Sequence, residues 1–313
     1  MASIGMDLPL AVSLLEQGEL VAIPTETVYG LAANALDPAA VARIFVAKNR
    51  PTFDPLIVHI ADPAAMAVYA QEIPEAAEVL AAAFWPGPLT LLLPRKAIIP
   101  DLVTSGLERV GLRCPDHPLT RQLLSRLTFP LAAPSANPFG YISPTTAKHV
   151  NDQLGNRVGY ILDGGPCRIG LESTIVGFEG GDPVVYRLGG TPVSAIESAV
   201  GPVRLSVSHS ADPQAPGQLS SHYAPRTKLV MGLPKGIQAA DPASFAVISF
   251  SKDHGYRNQL ILSPHGDTSE AAQNLFAAMR ELDNAGLRVI YAEPAPVEGL
   301  GPAINDRLSR ASC

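Results

Sequence analysis

The chain has 313 residues, 47% of them hydrophobic and 17% charged, with a formal net charge of −6. That length suits one large domain plus a small one, and the composition excludes a disordered or fibrous chain. The acidic balance argues against nucleic-acid binding over the whole surface, which phosphate contacts would make basic, while leaving a local basic cleft open.

Residues 1–20 carry Asp7, Glu16 and Glu19 and no basic leader. No apolar run reaches the roughly 18 residues needed to span a bilayer. Strand-like apolar runs follow at 20–23, 56–60, 89–93, 110–113, 131–133, 160–162, 174–178 and 184–187. Helical patterns at 38–48, 74–83, 118–127, 145–153 and 192–200 alternate with them. This alternation predicts an α/β fold. Several strands follow one another too closely for crossover helices, so the sheet should be mixed and open. Residues 205–227 are polar, rich in Ser and Pro, and read as a linker. Beyond them, strands at 228–232, 245–250, 260–262 and 288–291 and helices at 268–285 and 303–309 predict a small Rossmann-like α/β unit without a dinucleotide fingerprint. The expected division is thus 1–204, 205–227 and 228–313. The three cysteines, Cys114, Cys167 and Cys313, are odd in number and lack CxxC spacing. They favour a reducing, cytoplasmic setting and no structural zinc.

Four loops carry groups from which a site could be built. The first is Pro24-Thr25-Glu26-Thr27-Val28-Tyr29-Gly30, after a buried-looking strand. It offers hydroxyls, a carboxylate and a phenol where open α/β sheets bind ligands; it also suits a capping loop with Tyr29 in the core. The second is Lys48-Asn49-Arg50-Pro51, which leads through Asp54-Pro55 into a strand containing His59. Lysine and arginine two apart can meet one polyphosphate, although the same pair suits a solvated helix C-terminus. Alone, His59 reads as a satisfied core histidine and Asp54-Pro55 as a turn start.

The third loop, Ala133-Pro134-Ser135-Ala136-Asn137-Pro138, runs on to Ser143 and Thr145. Its small residues admit a ligand close to the backbone, and Ser135, Asn137 and Ser143 offer neutral hydrogen bonds. Ser143 or Thr145 equally caps the next helix. The fourth, 164–174, sets glycines beside Ser173 and Thr174. Arg113 and Arg187 each end an apolar strand, either snorkelling to water or aimed into a cleft. GxGxxG, P-loop and GxSxG motifs are absent. The site therefore reads as one that positions and polarises anionic and zwitterionic ligands.

Together, PTETVYGL, KNRP…DPLIVHI, WPGPLTLLL, VGLRCPDHP, APSAN…SPTTA and GLESTIV resemble the threonylcarbamoyl-AMP synthase family, whose core is the YrdC-like domain. So many independent motifs in one order are specific. SSHYAP in the linker and the unit after it resemble the family's long form. The resemblance implies a twisted sheet with a concave basic face. It implies synthesis of threonylcarbamoyl-AMP from L-threonine, bicarbonate or CO2, and ATP, with release of pyrophosphate. By the same resemblance Lys48 and Arg50 hold the nucleotide phosphates as the catalytic cations, with Ser135 and Asn137 completing that set. Asp54, Ser143 and Arg187 contact ATP, and Tyr223 reaches over the nucleotide, making the linker a lid. Thr27, His59, Arg113 and Ser173 hold L-threonine, with Arg113 at its carboxylate; His59 is also a candidate general base. Mg2+ is expected on the triphosphate, with no protein metal site. A downstream enzyme is expected to pass the product's threonylcarbamoyl group to tRNA. Phe139 and Leu188 depart from the family's small residue and proline at those places. An RNA-binding factor using the same face, or carbamoyl transfer to another acceptor, are the competing readings.

Overall fold

The computed structural model describes residues 2–207, 215–216, 222–234 and 243–313. Among these, eleven strands form one mixed sheet. In chain order they are β1 (Ser3–Gly5), β2 (Val21–Ile23), β3 (Gly30–Asn34), β4 (Ile57–His59), β5 (Leu89–Pro94), β6 (Arg109–Arg113), β7 (Leu131–Ala132), β8 (Tyr160–Leu162), β9 (Thr174–Glu179), β10 (Asp182–Arg187) and β11 (Arg204–Leu205). Across the sheet they run β1-β8-β2-β3-β7-β4-β6-β5-β9-β10-β11. Parallel pairs such as β4 with β6 sit beside antiparallel ones such as β5 with β6, as the short connections predict.

Alternation along each strand sends side chains to two faces. One face, with Ala22, Leu31, Val58, Leu112 and Val176, packs under the helices Pro38–Lys48, Glu75–Phe84, Ala147–Leu154 and Val193–Val200. The helix Pro38–Lys48 shows why these segments form. Asp37 caps its start by accepting from the Ala39 amide at 2.9 Å. Ala40, Val41, Ile44 and Phe45 recur on the buried side, and Asn49 ends it in a left-handed conformation (φ 53°) that asparagine tolerates. Burial of Ile44 or Phe45 contributes about 1.5–3 kcal/mol each.

The other face is covered in part. Val21, Ile23, Leu131 and Tyr160 pack under the helices Leu8–Glu16 and Pro118–Arg126. Past β7 the same face carries a small cluster of Ile57, Leu92, Ile175, Val184 and Tyr186, with Ala215 from the linker and no helical residue. The uncovered part of this face is where the polar groups gather.

The second unit is an all-parallel four-stranded sheet of β12 (Lys228–Met231), β13 (Phe245–Ser249), β14 (Gln259–Ile261) and β15 (Val289–Ala292), ordered β12-β15-β13-β14. Its helices Thr268–Asp283 and Gly301–Ala311 contribute Leu275, Phe276 and Ile304 to a cluster that also contains Val28, Ile142 and Leu171 of the first unit. Gly170 marks how close the seam is. Its φ is +78°, and a Cβ there would lie 2.6 Å from the Ala272 carbonyl oxygen, so only glycine fits. Of the expected linker, residues 208–214 and 217–221 lie outside the described residues, and Arg204–Leu205 pairs with β10 as the last strand of the large sheet.

Candidate functional site

Ile57 and His59, two apart on β4, point to the uncovered face and line one cavity. Arg113 stands opposite His59 in the β4–β6 register. Thr27, Ser135, Ser173 and Arg187 also line it, together with Arg50 from the loop after the first long helix. These loops do not share one edge of the sheet. Gly30 bridges to Ser135 beside the start of β4, whereas His59 and Arg113 end their strands. Because neighbouring strands run in opposite directions, the groups converge across a face. Arg187 reaches this face through a register shift between Val185 and Arg187, the re-aiming that a β-bulge provides.

Among the described residues, three arginines and one carboxylate, Glu172, line the cavity. Arg50 pairs with Asp54 at 2.9 Å and donates through Nη2 to the Pro55 carbonyl at 2.8 Å. Arg187 donates through Nε to the Ser173 carbonyl and through Nη2 to its Oγ, each at 3.0 Å. Ser173 Oγ lies 2.7 Å from Thr90 Oγ1. Arg113 pairs with Glu26 at 2.7 Å, but off hydrogen-bond alignment, and neither Glu26 oxygen has an aligned donor. Burial, and then the Arg113 charge, push His59 down to about 3. It is neutral at physiological pH, with Nδ1 left without a partner. A ring so weakly basic accepts a hydrogen bond and does not keep a proton at neutral pH.

Four expected contact residues sit behind the wall. Lys48 is buried, and its Nζ donates to the carbonyls of Ser135 and Asn137 at 2.6 and 2.5 Å. Burial, then the Arg50 charge, hold it well below the ordinary lysine range. Asp54 is buried and raised by that burial, against the pull of Arg50. Asn137 donates to the carbonyls of Pro138 and Tyr141, both at 2.8 Å. Ser143 donates to Glu172 Oε1 at 2.5 Å. None of the four is on the cavity wall; each braces a loop that is.

The linker enters the cavity with Pro216, His222 and Tyr223. The Pro216 carbonyl accepts from Arg187 Nη1 at 3.1 Å. Tyr223, at φ 62°, stacks on Phe276 with ring centroids 5.7 Å apart. Its hydroxyl has no partner, and burial raises it to about 12. His222 packs edge-on to it, held well below the ordinary histidine range by burial and then by Arg50. With these residues in place the open space is about 50 Å³, room for a few waters. At the two departures from the family's pattern, the Phe139 ring lies 5.9 Å from Arg50 Cζ, and the Leu188 side chain is half-buried against the two large apolar clusters.

Sequence reasoning gave Glu172, Pro216, His222 and Arg307 no role. Glu172 and His222 stand inside the quoted motifs. Arg307 lies in a weakly patterned helix, and nothing local signals that its side chain is fully buried.

A family model described as "Telomere recombination", covering Sua5, YciO and YrdC, matches residues 13–189. One described as "Threonylcarbamoyl-AMP synthase, C-terminal domain" matches 191–313. A threonylcarbamoyl-AMP synthase of Pyrococcus abyssi is 42% identical over 97% of this chain and 93% of its own length. One of Bacillus subtilis is 40% identical over 96% and 92%. A crystal structure of P. abyssi Sua5 complexed with L-threonine superposes with a TM-score of 0.90 at 41% identity, covering 97% of this chain and 94% of that one. A shorter Vibrio vulnificus protein of the same name, 38% identical, covers 50% of this chain and 86% of its own length.

Proposed function

The chain belongs to the threonylcarbamoyl-AMP synthase family, and from that premise we propose how its cavity serves the reaction. The enzyme joins L-threonine, bicarbonate or CO2, and ATP into threonylcarbamoyl-AMP and releases pyrophosphate. The observation that carries the residue roles is the spread of Arg50, Arg113 and Arg187 around one small cavity beside a neutral His59. Arg113 would meet the threonine carboxylate. Thr27, Ser173 and the His59 Nδ1 lone pair would take its hydroxyl and amine. Arg50 and Arg187 would meet the phosphates, with Tyr223 over the nucleotide and Lys48, Asp54, Asn137 and Ser143 holding the loops that carry these contacts.

The threonine amine, once neutral, adds to CO2; a C–N bond forms as one C=O π bond gives its electron pair to oxygen, and the nitrogen's extra proton passes to water. A carbamate oxygen then attacks the α-phosphorus. The bond from that phosphorus to the bridging oxygen breaks, and pyrophosphate leaves with the electron pair. Neither step needs a protein nucleophile, so catalysis comes from proximity and from cations placed at the phosphoryl charge. With substrates bound, the linker residues Pro216, His222 and Tyr223 on the cavity wall would help keep out bulk water, which would otherwise strip CO2 from the carbamate.

Mg2+ would arrive on the triphosphate, where it would neutralise phosphate charge. The product would pass to an enzyme that transfers the threonylcarbamoyl group to tRNA. No helix among the described residues is long and apolar enough to cross a membrane; the few cysteines, without CxxC spacing, support the cytoplasmic setting we infer. The near-full-length relatives carry the synthase name, which favours this reading over RNA binding or another acceptor. Incubation with ATP, Mg2+, bicarbonate and L-threonine should release pyrophosphate only when all are present. Turnover without threonine or without bicarbonate would overturn the reading.

A further inference from the structure

Among the described residues, Glu172 is the one carboxylate on a wall that otherwise presents Arg50, Arg113 and Arg187. Left bare, it would repel the nucleotide phosphates from the place the arginines prepare for them. It is not bare. The guanidinium of Arg307, from the last helix of the second unit, meets Glu172 Oε2 through Nε at 2.8 Å. The two side chains are 0% and 8% exposed. The other carboxylate oxygen accepts from Ser143 Oγ at 2.5 Å. Arg307 also donates through Nη2 to the Leu188 carbonyl at 2.8 Å, pairs through Nη1 with Asp306 at 2.5 Å, and lies 4.8 Å from the Tyr223 ring centroid. One buried side chain therefore touches Glu172, which precedes Ser173, Leu188, which follows Arg187, and Tyr223 itself.

We propose that Arg307 is a positioning residue of the synthase cavity: it neutralises Glu172 and holds it against Ser143, keeping a free carboxylate off the wall that receives the nucleotide phosphates. The second unit is then a working part of the active site in this chain. A relative with the same name spans only half of this chain, so the reaction itself does not demand the unit. What demands it here is the carboxylate at position 172. A buried acid whose partner is removed costs far more than the pair contributes when intact. The charge left behind would act on the triphosphate through a medium that screens little.

The inference rests on the proposed placement of ATP in this cavity, and the test separates the two. The enzyme is assayed by pyrophosphate release at varied ATP and varied threonine, as the full chain and as Arg307→Met, Glu172→Gln and the double variant, with thermal unfolding followed for each. Arg307→Met should raise the KM for ATP by about tenfold or more, with a smaller change in kcat. The double variant, which removes the orphaned charge, should return that KM to within about threefold of the unaltered enzyme. A purely structural role would lower the unfolding temperature and leave the KM for ATP of the folded enzyme unchanged. A KM for ATP untouched by Arg307→Met, or a double variant as poor as the single one, would overturn the inference while the synthase reading stood. Absence of threonine-dependent turnover in the unaltered enzyme would overturn both. If Arg307→Met fails to fold, Arg307→Gln with and without Glu172→Gln decides the same question.

Discussion

Two sets of buried arginines do opposite work in this molecule. Arg50, Arg113 and Arg187 belong to the first unit and line the cavity. Arg280 and Arg307 belong to the second and meet the backs of the loops that form it. Arg280 donates through Nε to the Ser143 carbonyl at 3.2 Å and through Nη2 to the Ile142 carbonyl and to Gln153 Oε1. The first set faces the space a ligand would occupy, with Arg113 beside a Glu26 whose oxygens have no aligned donor among the described residues. The second is spent on groups the protein itself leaves unsatisfied. Burial and residue type are the same in both; the difference is what lies on the far side of the guanidinium.

That contrast can be broken by experiment. The largest effect should come from the wall. Arg187→Met removes a cation from the phosphate side and should lower kcat/KM for ATP by about a thousandfold, roughly 4 kcal/mol, in the enzyme that folds; it also strips donors from Ser173 and Pro216 and should lower the unfolding temperature. Arg280→Met should leave kcat/KM of the folded enzyme nearly unchanged. It strips the donors from two carbonyls and an amide oxygen, and should destabilise the fold by about 3 kcal/mol in denaturant melts. Loss of activity without loss of stability in Arg280→Met would erase the distinction between the sets.

A smaller effect sharpens it. His59 is pushed down to about 3 by burial and then by Arg113, below its unfolded value of about 6.5. Between those values the unfolded chain binds the proton and the folded one does not. Stability should therefore fall as pH drops below about 6.5 and level off near 3. From pH 7 to pH 5 the His59 share is about 2 kcal/mol. Denaturant melts of His59→Asn should lose that share of the dependence; an unchanged slope would place the titration elsewhere, with His222 the next group in line.

Much of this was legible in the sequence. The helix Pro38–Lys48 is bounded as its pattern and its Asp37 and Asn49 flanks dictate. For the strands ending in Arg113 and Arg187 the sequence left open whether the side chains snorkel to water or enter a cleft, and the fold places both on the cavity wall. Two things were hidden. The strand Gly30–Asn34, with sequence GLAAN, has little β-forming character and owes its form to its neighbours β2 and β7. The helix Leu8–Glu16, with sequence LPLAVSLLE, is apolar over most of its surface, which blurs the period. In the site, the motif residues drew attention, but sequence could not sort wall from support. Lys48 read as a point charge for phosphate, and the fold ties its ammonium to two carbonyls. The contact between Glu172 and Arg307 spans 135 positions, and no local pattern carries such a pair.

The mixed cluster at the seam has a thermodynamic consequence. Leu171 and Ile142 of the first unit share their apolar surroundings with Phe276 and Ile304 of the second. Neither half can open without baring the other's surface to water, which couples their unfolding. Two sheets are drawn in the architecture, yet heat should find a single cooperative transition, and the loops of the active site should melt with the core and not before it.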